Sequence, residues 1–167
     1  MKKILILIVI LAGAIQLNAQ KIGYINTETI LSQIPEYKTA QDKLNSLNEQ
    51  YKSKIESEYK VIEQLYNNYQ SKKSSLSSQQ RTQKENEIIN KEKAVKELQK
   101  TYFGENGYMQ KKSEELLNPI KERVDSAVKK IAQTGGYMLI IDLSIMQGVI
   151  YDDPKYDLSQ KVIDMIK

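Results

Sequence analysis

The chain has 167 residues, with 25 Lys and Arg against 21 Asp and Glu, no Cys and no His. Without Cys there are no disulfides or thiolate metal sites, and without His the commonest general base and metal ligand is missing. Gly104-Glu105-Asn106-Gly107 lacks the Lys-Ser/Thr of a phosphate loop, and the carboxylates lie along solvated helix faces, so the chain reads as a non-enzyme with no metal and no cofactor.

In chain order, Lys2-Lys3, an apolar run from Ile4 to Leu17 and Asn18-Ala19 form a secretory signal peptide, the run being too short for a comfortable membrane span. Cleavage near Ala19/Gln20 leaves 148 residues, enough for one domain, with 23 basic and 21 acidic side chains and a net charge of +2. That near balance says little about partners, but the distribution says more. Between Glu63 and Glu85 there is no acid, and Lys72, Lys73, Arg81 and Lys84 flank a Ser-rich turn at 74–78. From Asp142 onward five acids face three lysines. The turn is a basic tip and the far end is acidic.

Lys21 to Ile25 alternates apolar with small or polar residues and reads as a short strand. Asn26 or Thr27 then caps a brief helix, and Pro35 suits the first turn of a new one. From Pro35 to Lys73, ten apolar positions from Tyr37 to Tyr69 stay within a stripe of roughly 120° at about 100° per residue. A second stripe runs from Ile88 to Ile131. Ser77 with Gln80 matches a capping box, which marks where the second arm starts. Two helices joined by a tight turn predict an antiparallel hairpin, each arm on the order of 60–80 Å long at 1.5 Å per residue.

Gly104, Gly107 and Pro119 interrupt the second arm, either as accommodation of curvature or as a hinge. If the backbone there is helical, replacing both glycines with Ala would stabilise it. Gly135-Gly136 ends the helix. Tyr137–Ile141 is a dense apolar strand with both faces covered, and Gly148–Tyr151 returns as its hairpin partner. Asp157 with Gln160 predicts a capped, amphipathic last helix.

The fold class is α+β, with residues 20–34 and 134–167 as a strand-bearing body and 35–133 as a helical arm. A sheet that small exposes edges and apolar faces, so Ile22, Tyr24, Leu139, Ile140, Ile141 and Val149 are assigned to an oligomerising surface. Association through the arms as a long coiled coil is the alternative, and predicts more Leu and Ile at the seam. Tyr51 and Tyr69 suit filling between the arms. Tyr59 and Tyr66, at the edge of the stripe, suit contact with varied apolar segments.

Five stretches carry a family resemblance: KIGYINTETIL at 21–31, IPEYKTAQDKLNSLNEQY at 34–51, LNPIKERVDSAVKKIAQTGGYMLIID at 117–142, GVIYDDP at 148–154 and DLSQKVIDMIK at 157–167. The sequence resembles the Skp/OmpH family of periplasmic chaperones over the whole of 21–167. The resemblance implies a jellyfish-like homotrimer with a β-barrel body and helical arms around a cavity. It further implies a holdase that keeps unfolded outer-membrane β-barrel proteins from aggregating without ATP. The family's basic arm tips are matched by Lys72, Lys73, Arg81 and Lys84, placed to meet acidic chains, anionic lipid or lipopolysaccharide. Export and the single modest basic cluster disfavour nucleic acid. The competing reading is a non-enzymatic envelope adaptor that binds one fixed partner. The Gly104/Gly107 pair departs from the family pattern.

Overall fold

The computed structural model of the protein describes Lys21–Lys167, so the signal peptide and its cleavage near Ala19/Gln20 lie outside the described residues. The chain divides into two compact units, one of residues up to Leu31 with Val124–Lys167, the other of Ser32–Arg123.

In the first unit, β1 (Lys21–Ile25) pairs in parallel with β2 (Tyr137–Asp142), with Ile22 opposite Leu139, Gly23 opposite Ile140 and Tyr24 opposite Ile141. Parallel pairing needs a long crossover, and the helical residues between the two strands supply it. Asn26 caps α1 (Thr27–Ser32) by accepting the Thr29 amide at 2.9 Å. The apolar face of α5 (Ser159–Ile166) closes the core with Leu158, Val162 and Ile163 buried beside Ile25 and Ile30. Gly23 is required here, because a Cβ would sit 2.6 Å from Leu158 Cδ1.

Three expectations need correction. Gly148–Tyr151 forms no strand, and the sheet of the described residues has two strands. After β2 the Asp142 carboxylate accepts the Ser144 amide, which turns Leu143–Ile145 into a 3-10 turn, and Gly148 takes a positive φ of 83°. The residues that follow remain beside the strand pair, where Val149 and Tyr151 line a cavity with Ile22, Tyr24 and Ile141, but do not join it as a strand. Nor is β2 covered on both faces: Met138 is 58% and Leu139 46% exposed, because a sheet of two strands has too little chain to lie across it. Asp157 and Gln160 form no capping box either. The helix starts one residue later than the pattern implies, so Asp157 accepts the Ser159 amide and Gln160 donates to Asp164.

The second unit holds α2 (Pro35–Lys72) and α3 (Ser78–Phe103), followed by the start of α4 (Tyr108–Gly135), which continues into the first unit. At 1.5 Å per residue the 38 residues of α2 span about 57 Å. Close packing of α2 on α3 runs through Ile55, Ile62 and Tyr69, spaced by seven, with Ile88 and Val95 opposite. Tyr69–Glu85, Glu58–Lys91 and Tyr51–Tyr102 step in opposite directions along the two helices, as an antiparallel hairpin demands. Ser77 and Gln80 form the capping box at the start of α3. A break at 104–107 separates α3 from α4, whereas α4 runs through Pro119 without interruption.

The Asp142 carboxylate ties β2 to the start of α1. It accepts from the backbone and hydroxyl of both Thr27 and Ser144. Partial burial works against its charge, and these bonds outweigh it, holding the carboxyl below its usual value of 3.8. A lowered pKa makes the contribution complete above the ordinary carboxylate range and lost as pH falls through the folded value. Asp142→Asn should cost about 2 kcal/mol at neutral pH, read as a lowered unfolding midpoint. The gap from wild type should narrow as the wild-type carboxylate is titrated in acid.

Candidate functional site

At the arm tip, α2 ends at Lys72 and Lys73–Ser75 form a 3-10 turn. Leu76, half-buried, packs against the seam between the helices, and its carbonyl accepts Arg81 Nε at 3.1 Å. Arg81 is therefore part of the turn's own scaffold. Lys84 lies 2.7 Å from Glu87, an ion pair within α3 that sequence distance from Glu85 conceals. Glu85 accepts a hydrogen bond from the Tyr69 hydroxyl, which together with burial pushes that phenol above its ordinary value. Lys73 lies 5.5 Å from the Tyr69 ring centroid. Of the four basic tip residues, Lys72 and Lys73 thus project with no carboxylate contact, while Arg81 and Lys84 are committed locally.

The tyrosines of α2 divide by environment. Tyr69 is buried and Tyr51 half-buried, whereas Tyr59 is 44% and Tyr66 51% exposed. Position relative to the Ile55–Ile62–Tyr69 row sets the difference, since Tyr59 and Tyr66 each follow a buried isoleucine by four residues and fall beside the seam.

In the first unit, Ile22, Tyr24, Ile141 and Val149 line a cavity of about 390 Å³ with Tyr151 and Asp152. The Tyr24 hydroxyl is pushed up to about 12, first by desolvation, then by its hydrogen bond to Asp152 and the charges of Asp152, Asp157 and Asp153. Ile140 and Ile141 are half-buried, while Ile22, Leu139 and Val149 are exposed. The sequence reading missed the larger part of this surface. Ile145 is 81%, Ile150 100% and Tyr151 80% exposed, and Met146 adds to them. Adjacent apolar residues in a segment with neither helix nor strand period were the available signal.

Among the described residues no cluster of carboxylates is placed to hold a metal, and no helix is long and apolar enough to cross a membrane. The described residues thus hold long paired helices and a strand pair with an uncovered apolar surface. The family model for outer membrane protein (OmpH-like) matches residues 21–166, and the chain belongs to that family. Relatives named chaperone protein Skp come from Yersinia enterocolitica, 26% identical over 94% of this chain and 92% of the relative, and from Vibrio cholerae serotype O1, 27% identical over 96% and 94%. An OmpH-like protein from Caulobacter crescentus CB15 has the same fold, with a TM-score of 0.67 and 12% identity across 87% of this chain and 82% of that one. The protein is accordingly an OmpH-like chaperone and not an enzyme.

At the break, Gly104 has an extended backbone, φ −72° and ψ 175°, and so does not meet the condition under which Ala would stabilise it. A Cβ on Gly104 would lie 2.5 Å from the Lys100 carbonyl oxygen, and one on Gly107 2.7 Å from that of Gly104. Both neighbours are backbone and cannot swing aside. Gly104→Ala and Gly107→Ala should therefore each destabilise the arm by roughly 1–3 kcal/mol, seen as a lower melting temperature. An unchanged or raised value would mean that the backbone relaxes into a continuous helix.

Proposed function

We propose that this protein is an ATP-independent periplasmic holdase, a homotrimer that encloses unfolded outer-membrane β-barrel proteins between its arms and prevents their aggregation. The observation that carries the reading is the uncovered apolar surface of β2 and the segment after it, in a chain whose relatives are named chaperones. A fully exposed Ile150 beside exposed Ile145 and Tyr151 is too much apolar area for one soluble chain. The free edge of β2 offers unpaired backbone groups to a second copy, so association covers edge and face together. Ile22, Leu139 and Val149 join the same interface, and Tyr24, Ile140 and Ile141 support it from behind.

On this reading the arms do the capture. Lys72 and Lys73, repeated in a trimer, steer acidic chains, anionic lipid or lipopolysaccharide toward the cavity mouth, which raises encounter rate more than affinity. Tyr59 and Tyr66 then hold apolar client segments. The carboxylate-poor tip needs no cofactor for this.

Two outcomes test the assembly. Sedimentation of the wild type at micromolar concentration should give a trimer, and Ile150→Asp should dissociate it while leaving each chain helical, because Ile150 is fully exposed in the single chain. A folded wild-type monomer would reject the assembly. For capture, the purified protein should suppress light scattering when urea-unfolded β-barrel proteins are diluted into buffer, near one trimer per client. Protection of a single partner only would make it a dedicated adaptor.

Steering has its own signature. Replacing Lys72 and Lys73 with Ser, keeping Arg81 because it holds the turn and Lys84 because it is paired with Glu87, should lower the client association rate severalfold at low salt. The difference should vanish near 1 M salt, where the screening length is about 3 Å. A rate indifferent to both changes would leave the tip as a solvated turn.

A further inference from the structure

Between Phe103 and Tyr108 the second arm is joined by a four-residue link with its own geometry. Gly104 donates to the Lys100 carbonyl at 2.8 Å and Gly107 to that of Gly104 at 2.9 Å. Asn106 lies in the left-handed region at φ 57° and donates to the Gln110 side chain. Short links of this kind resist rotation little, since few bonds cross them.

Aromatic rings bridge the link from outside. The Tyr51 ring of α2 stacks on Tyr102 with centroids 4.1 Å apart and planes 10° from parallel. It meets Phe103 edge-on at 6.5 Å and Tyr108 edge-on at 5.5 Å. Tyr102 and Phe103 end α3, and Tyr108 begins α4, so one side chain touches both sides of the break. Farther along, toward Pro35, α2 and the first half of α4 flank a groove of about 630 Å³ floored by Ala40, Leu116 and Ile120. The Glu36–Arg123 ion pair, 3.2 Å across and exposed at both ends, adds little there.

We infer that Tyr51 is a latch setting the angle between α3 and the first half of α4. With its ring stacked, the link is held. With the ring withdrawn, α4 pivots about 104–107 and the groove against α2 widens. The latch stands on the geometry alone. Its use, fitting the arm to clients of different size, rests on the chaperone reading.

The absence of Cys makes specific labelling direct. Spin labels at Glu97→Cys on α3 and Lys121→Cys on α4, in labelled chains diluted into unlabelled protein, report the intrachain distance across the link. The Tyr51 hydroxyl also bonds to Tyr108, so Tyr51→Phe removes that bond and keeps the flat ring; wild type should give one narrow distribution and Tyr51→Phe one much closer to it than to Tyr51→Ala. Tyr51→Ala should broaden it, and amide exchange over 104–111 should rise about tenfold, the ~1.4 kcal/mol of about one aromatic pair, while exchange at Ile88–Val95 stays slow. Tyr51→Leu, which fills the space without a flat face and keeps the seam folded, should behave like Tyr51→Ala. An unchanged distribution in both variants, or faster exchange spread evenly along α3, would reduce Tyr51 to an ordinary packing residue. Loss of client protection in the wild type would instead strike the chaperone reading and leave these distances untouched.

Discussion

Parallel pairing of β1 with β2 is the constraint on which the first unit depends. It joins residues 21–25 to 137–142, so the two ends of a long helical excursion meet in one small sheet. The pair is too small to be self-sufficient. It is supported on one side by Leu158 against Gly23 and at its end by the Asp142 bonds to Thr27 and Ser144. What it leaves uncovered, from Met138 to Tyr151, is apolar surface that a sheet of two strands has too little chain to bury.

In the arm the same economy appears in the spacing of apolar residues. A row with a seven-residue period, Ile55, Ile62 and Tyr69, is narrow enough to be covered by one partner helix. Tyr69, on that row, and Tyr51, beside it, find hydroxyl or ring partners in Glu85 and Tyr102, while Tyr59 and Tyr66 stay exposed. One residue type therefore serves as filler or as polar anchor, or stays exposed, according to its angular position on a single helix.

Charge at the tip is smaller than a count of basic residues implies. Arg81 stabilises the turn through the Leu76 carbonyl, and Lys84 is neutralised by Glu87 one turn away. Only fields from groups without such neighbours reach far into solvent, which concentrates any steering in Lys72 and Lys73. In the first unit the logic is reversed: burial first, and then the carboxylates of Asp152, Asp157 and Asp153, push the Tyr24 hydroxyl up to about 12.

Features that depend on neighbours along the chain were legible in the sequence. The helical period of both arms, the Ser77–Gln80 box, Pro35 at the first turn and the interruption at Gly104/Gly107 each arise from contacts within a few residues. The family motifs at both ends of the described chain were legible for the same reason, as local strings. What the sequence left open needed distant partners. Gly148–Tyr151 has the composition of a strand, yet a strand needs backbone pairing in register, and after the Asp142-capped turn the segment lies beside the pair without making it. Tyr51 looked like one seam residue among many; that its ring touches both sides of the break follows from the antiparallel register, which brings residue 51 beside 102, 103 and 108. Local chemistry chose the elements, and the long-range pairing of surfaces, which no short window contains, chose what each exposed or buried residue does.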